Sequence, residues 1–162
     1  MTQSKSNLDL LTEIIIDQDD YIRVKTQLEG LKRDMYKSVS AEKLKGSIDT
    51  DLSLILSASL GKSPSNSDSN GLAESIDSLL KELDGLGYIT TVFPFTPTKS
   101  FLETIKTRLE KVCHLSNPTY LKVIYDPTLV VGCVVECGGR YMDFSLKTKI
   151  EQYVEEHVNA KL

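Results

Sequence analysis

The stretch Tyr120–Ile150, YLKVIYDPTLVVGCVVECGGRYMDFSLKTKI, decides the fold of this chain. Tyr120 to Tyr125 alternates large apolar residues with others and is rich in β-branched and aromatic types, the composition of a half-buried strand. Asp126-Pro127 ends that strand. Proline donates no ladder hydrogen bond and drives the residue before it toward extended geometry. Val130 to Cys137 is a nearly continuous apolar run and predicts a second strand; the lone Gly132 inside it predicts a bulge or a close approach by another backbone. Gly138-Gly139 predicts a two-residue hairpin turn, because both positions accept positive φ without a Cβ penalty. Arg140 to Phe144 returns as a third strand. Asp143 or Ser145 is then placed to cap a last helix that turns Leu146, Ile150, Tyr153, Val154 and Val158 inward.

Upstream, Ile89 to Phe93 reads as a strand closed by Pro94. Thr96 reads as the cap of a helix with Pro97 at its first position, a favoured place for proline. That helix carries Phe101, Leu102, Ile105, Leu109, Val112 and Cys113 on one side, and Asn117-Pro118 breaks the chain after it. Residues 88–162 therefore read β-α-β-β-β-α.

Residues 1–87 have a different character. Leu8 to Ile16 suits a helix, although Ile14-Ile15-Ile16 suits a strand equally. Tyr21, Val24, Leu28, Leu31 and Met35 recur at spacings of three and four, one face of a helix, with Asp17, Asp19 and Asp20 at its dipole-positive end. Ser40 opens a short helix ending near Gly46. Asp49 or Thr50 caps another with Leu52, Ile55, Leu56 and Leu60, stopped by Gly61. KSPSNSDSNG, residues 62–71, reads as a polar loop, and Leu72, Ile76, Leu79, Leu80 and Leu83 as a final helix ended by Asp84-Gly85-Leu86-Gly87. The fold class is α+β: a small helical bundle over 1–87, then a compact α+β domain over 88–162.

Composition narrows the function. The 162 residues are 40% hydrophobic and 26% charged, enough for a core. No apolar run approaches the 18 residues of a membrane span. The opening MTQSKSNLDLLTE has no signal core and carries Asp9 and Glu13, so the chain is expected to stay where it is made. A net charge of −4 disfavours nucleic acid as a partner. Three cysteines do not make a disulfide framework.

Candidate chemistry is sparse. Gly61-Lys62-Ser63 has the end of a phosphate-binding loop, but Leu56 stands where its first glycine belongs. Cys113, with Cys133 and Cys137, lacks zinc-like spacing, and buried free cysteine usually behaves as a small hydrophobe. Cys133 and Cys137, four apart in one expected strand, would face the same way. Asp126 and Asp143 sit at turns, where aspartate accepts backbone N–H groups. With His114 and His157 the only histidines, no set of nucleophile, base and oxyanion donor assembles. Neither a catalytic residue, a cofactor nor a metal is expected.

Asp126-Pro127-Thr128-Leu129-Val130-Val131-Gly132, Val134-Val135, Gly139, Asp143-Phe144-Ser145-Leu146 and Lys149-Ile150, in that order, resemble a known signature. It is the C-terminal signature of the F-type ATP synthase delta subunit family, counterpart of the mitochondrial oligomycin-sensitivity-conferring protein. The resemblance covers about residues 86–158. It implies a peripheral-stalk component without chemistry of its own, on the cytoplasmic side of a bacterial membrane. In that family the helical bundle binds the N-terminal helices of the α subunit, and the C-terminal domain holds the stalk formed by the b subunit. Asp126, Pro127, Leu129, Gly132, Gly139, Asp143, Ser145 and Lys149 are implied as structural motif residues. Two departures stand out: Val131-Gly132 replaces a glycine pair, and four or five helices stand where six are usual. Two alternatives are a peripheral-stalk protein of the V/A-type ATPases, which requires one long N-terminal helix, and a small thiol-dependent enzyme using Cys113.

Overall fold

A computed structural model describes residues 7–36, 49–59, 69–115, 117–146, 149–151 and 153–154. The expected Ser40–Gly46 helix, the Gly61-Lys62-Ser63 segment, His157 and Val158 lie outside those residues. The chain divides into two compact units, Met1–Gly87 with Asn117–Tyr120, and Tyr88–Ser116 with Leu121–Leu162.

The first unit is helical: α1 (Asn7–Ile14), α2 (Gln18–Tyr36), α3 (Thr50–Ser59) and α4 (Ser69–Asp84). The start of α2 is set by two aspartates. Asp17 Oδ1 accepts the Asp20 N–H at 3.0 Å, the N-cap bond to the third helical residue. Asp20 reaches back to accept the Ile16 N–H at 3.2 Å, so a donor of the incoming chain is satisfied at the same corner. Ile15 and Ile16 are therefore neither helix nor strand; they form a buried connector between α1 and α2.

Val24, Leu28 and Leu31 of α2 and Ile76, Leu79 and Leu83 of α4 are all buried in one cluster with Leu11, Ile15, Leu52, Ile55 and Leu56. Each buried leucine or isoleucine contributes roughly 1.5–3 kcal/mol through the apolar surface removed from water. Lys25–Asp84 and Lys32–Asp77, each 2.6 Å, run in opposite residue order and fix α2 and α4 as antiparallel. These ion pairs are solvent-exposed and contribute little, about 0–1 kcal/mol each; the apolar seam holds the helices. Tyr120 stacks on Tyr21 with ring centroids 4.7 Å apart and planes 13° from parallel.

The second unit is built on strands β1 (Gly87–Phe93), β2 (Thr119–Tyr125), β3 (Val134–Cys137) and β4 (Arg140–Asp143), with helix α5 (Lys99–Cys113) between β1 and β2. The sheet order is β2-β1-β3-β4. Gly87 N–H donates to Pro118 at one end and Asp126 N–H to Phe93 at the other, so β1 and β2 run parallel across the helical crossover. β1 pairs with β3 antiparallel, Thr91 opposite Val135, and β3 with β4, Cys137 opposite Arg140. Ile89, Thr91, Phe93, Val135 and Cys137 thereby share one face of the sheet, and all are buried. Phe101 of α5 meets Phe93 edge-on at 5.7 Å, which puts α5 on that face.

Several local expectations need correction. The cap of α5 is Thr98, whose hydroxyl accepts the Phe101 N–H at 3.4 Å; Thr96 precedes Pro97 and is held away from helical geometry. The buried stripe of α5 runs through Leu102, Lys106 and Leu109, with Phe101 and Val112 exposed at its margins. α4 begins at Ser69, inside what reads as loop. Val130–Cys137 is not one strand. Gly132 takes φ +101°, the side chains of Val130 and Val131 turn to solvent, and the regular strand is confined to Val134–Cys137, which leaves Cys133 outside it. The last helix does not turn its apolar side inward: Leu146, Ile150, Tyr153 and Val154 are all exposed. The N-terminal helices are separate, which does not fit the single long helix that the V/A-type alternative requires.

Candidate interaction surfaces

An exposed apolar surface of the second unit is formed where the segment before β3 meets the segment after β4. Phe144 N–H donates to Cys133 at 2.9 Å and Leu146 N–H to Val131 at 3.0 Å, so the two segments continue the sheet pairing beyond β3 and β4. Gly132 permits this. A Cβ there would collide with the Phe144 carbonyl oxygen and lie 2.7 Å from Ser145 Cα, a separation that only glycine tolerates. The backbones are locked and the side chains of Val130, Val131, Phe144 and Leu146 are left facing water, Val130 at 63% exposure. Ile150 N–H donates to Leu146 at 2.9 Å and starts the last helix, which extends the ridge with Ile150, Tyr153 and Val154.

Some of the motif residues shape this ridge and others lie apart from it. Asp126 Oδ1 accepts both the Thr128 N–H (2.9 Å) and the Thr128 hydroxyl (2.7 Å), and its carbonyl accepts the Leu129 N–H at 3.2 Å. Pro127 lies exposed in that turn and Leu129 is half-buried. Asp143 Oδ1 accepts the Ser145 N–H at 2.7 Å, folding the chain from β4 toward the helix. Ser145 is buried, with no hydrogen-bond partner for its hydroxyl among the described residues; Leu146, not Ser145, offers the first helical carbonyl. Gly139 takes φ +75° and Gly138 +57° in the β3–β4 turn, away from the ridge's locked junction, and Lys149 is exposed on the last helix. Gly132, Asp143 and Ser145 thus meet at one junction, and Asp126 shapes its own turn after β2.

The first unit has its own apolar surface. Leu10 and Ile14 of α1 and Leu54 and Ile55 of α3 line an open groove of about 310 Å³, with Glu13 and Asp51 at its rim. Leu54 is 62% exposed on the groove floor. Short α1 and α3 lie side by side over the buried Leu11, Ile15 and Leu52.

The remaining features carry little chemistry. A polar hollow of about 350 Å³ on the open face of the sheet is lined by Tyr88, Thr90, Lys122, Ile124, Glu136 and the glycine turn. Lys122 Nζ sits 5.7 Å from the Tyr88 ring centroid, a cation–π contact. Burial pushes the Cys113 thiol up to about 11, and its side-chain interaction with Cys137, which favours the protonated Cys113, acts the same way; Arg140 opposes both. Cys133 is also raised, by burial and then by the Asp143 charge. This shift is opposite to the lowering that marks an activated catalytic thiol. Among the described residues no three histidine, cysteine or acidic side chains gather as metal ligands, and no helix is long and apolar enough to cross a membrane.

One curated relative, the ATP synthase subunit delta of Methylobacterium nodulans, is 35% identical over 72 residues, which is 44% of this chain and 37% of that protein. The match therefore spans well under half of the relative's length. The family model for the ATP synthase delta (OSCP) subunit matches residues 60–156, which include α4, the whole sheet, α5 and the exposed ridge, and the chain belongs to that family.

Proposed function

We propose that this protein is a non-catalytic component of the peripheral stalk of an F-type ATP synthase, linking the catalytic head to the stalk formed by the b subunit. The observation that carries the reading is the ridge of Val130, Val131, Phe144, Leu146, Ile150, Tyr153 and Val154, exposed on a backbone fixed by Gly132 and Asp143. Large apolar side chains gathered in one region of a small unit are costly in water and suit a surface covered by a partner. The b subunit is assigned to this ridge. The groove between α1 and α3 is assigned to the N-terminal helices of the α subunit, since an open apolar trough accepts an amphipathic helix through residues spaced three and four apart.

Residues 1–87 then serve the head and 88–162 the stalk. Asp126, Pro127, Leu129, Gly132, Gly139, Asp143, Ser145 and Lys149 shape the second surface rather than react. The protein resists torque and works at the cytoplasmic side of a bacterial membrane, held there through the complex. Affinity purification of the full chain from detergent-solubilised membranes tests this. Recovery of α and b subunits in constant ratio is expected, with b lost on Phe144→Ser and α lost on Leu54→Glu. A stable pool that never associates with either of them refutes the proposal.

A further inference from the structure

The last residue of α5 and the last residue of β3 are both cysteines, and neither is in a disulfide. Cys137 is buried on the face of the sheet that α5 covers, in step with Val135 and opposite in direction to exposed Glu136. Cys113 is half-buried at the last position of the same helix, one turn past Leu109 on the stripe that faces the sheet, and its thiol interacts with that of Cys137. Arg140, which pairs with Cys137 across the hairpin, is the charged group beside them. Cys133 is a third thiol, but it sits before β3 next to Asp143. The fold thus brings together two thiols that are 24 positions apart in sequence, with one of them reachable from solvent.

We propose that Cys113 and Cys137 are a redox-responsive pair that closes to an intramolecular disulfide when the surrounding low-molecular-weight disulfide pool is oxidised, fastening the end of α5 to β3. The step is thiol–disulfide exchange. The Cys113 thiolate attacks a sulfur of a small-molecule disulfide such as glutathione disulfide, forming a mixed disulfide and releasing one thiolate. Cys137, after losing its proton to solvent, attacks Cys113 Sγ and expels the second thiolate. The two protein thiols are oxidised, one small disulfide is reduced to two thiols, and the two protons end on the released thiolates. Burial keeps Cys113 protonated at neutral pH, so closure is slow there and accelerates with alkalinity. This inference goes beyond the stalk reading and does not depend on it, since it is read on the isolated chain.

The test incubates the reduced full chain in glutathione buffers of graded disulfide fraction and follows intact mass and non-reducing peptide maps. Loss of two hydrogens with one Cys113–Cys137 cross-linked peptide is expected, at a rate rising about tenfold per pH unit between pH 7 and 9. Cys133→Ser should close equally well, and Cys137→Ser should stop at a glutathione adduct on Cys113. The closed chain should melt roughly 10 °C higher, because the loop of unfolded chain between the two residues is constrained. A cross-link through Cys133, an adduct without closure in the unmutated chain, dimers alone, or a lowered melting temperature on closure each overturns the proposal. The maps of the unmutated chain decide the matter even if a variant does not fold.

Discussion

Replacing Gly132 by alanine adds one methyl group and should be among the most damaging single changes in the second unit. The residue holds φ +101°, where an L-residue costs about 1–2 kcal/mol. The new Cβ would also meet the Phe144 carbonyl oxygen and Ser145 Cα, both backbone atoms that cannot swing aside. Relief requires the two segments to separate, which weakens the flanking bonds from Phe144 N–H to Cys133 and from Leu146 N–H to Val131, about 1 kcal/mol each. The sum is roughly 3 kcal/mol. The same substitution elsewhere isolates the causes. At Gly138 (φ +57°) or Gly139 (φ +75°) a Cβ meets nothing within 4 Å, so only the conformational cost of about 1 kcal/mol remains. At Gly30, inside α2 and with nothing within 4 Å, alanine should stabilise by about 0.5–1 kcal/mol through helix propensity. Urea unfolding followed by far-ultraviolet circular dichroism and tyrosine fluorescence ranks the four variants. If Gly132→Ala falls within about 0.5 kcal/mol of the parent, or costs no more than Gly138→Ala, close approach is not what the glycine serves.

Asp20→Ala should cost about 2–3 kcal/mol, because it orphans the buried Ile16 N–H and removes an Arg23 partner, whereas Arg23→Gln, whose side chain is 41% exposed, should cost about 1 kcal/mol or less; chemical denaturation that reverses this order refutes the account. Iodoacetamide labelling of Cys113 in the native chain should be very slow at pH 7 and rise about tenfold per pH unit, a profile that quantitative mass spectrometry reads directly; fast neutral labelling contradicts the raised thiol. The same shift makes a stability prediction. The folded state holds the Cys113 proton to about 11 against a reference value of 9.0, so its contribution is complete below pH 9 and fades as pH rises toward 11. Tyr153→Ser or Val154→Ser should change stability by less than about 0.5 kcal/mol, since both side chains are exposed, while weakening capture of the b subunit roughly five- to thirty-fold; a loss of stability without a loss of capture speaks against the ridge as an interface.

Local rules carried the parts of the fold that local chemistry decides. The three-and-four spacing of Val24, Leu28 and Leu31 and of Ile76, Leu79 and Leu83 is a direct image of the buried seam, because burial of one helix face is what produces it. Gly138-Gly139 is equally legible, as two successive positive φ angles have few other solutions. Hydropathy could not see that Val130 and Val131 turn their side chains to solvent, since an apolar run looks the same whether it is buried or exposed. The burial of Lys106 and the meeting of Cys113 with Cys137 depend on how α5 is rotated over the sheet, which no single segment encodes. The last helix departs from expectation in an informative way. Amphipathicity says that Leu146, Ile150, Tyr153 and Val154 need cover, and it is silent on whether the cover comes from the same chain.

That distinction bears on how a binding surface can be built on a small sheet. Surface apolar side chains on a mobile loop would lose much of their docking energy to ordering, at about 0.5–1.5 kcal/mol for each side chain immobilised and more for backbone. Here Val131 and Leu146 are joined by a 3.0 Å backbone hydrogen bond, Phe144 and Cys133 by another of 2.9 Å, and Gly132 allows the two segments to close without a Cβ between them. Asp143 and Asp126 fix the approaches to the junction through their own turns. The ordering cost is met when the unit folds, before any partner arrives. On the proposed stalk reading the motif's aspartates and glycine would serve recognition by way of folding: Gly132→Ala should weaken capture of the b subunit even under conditions where the variant remains fully folded, because it loosens the frame that holds Val130, Val131, Phe144 and Leu146 in place.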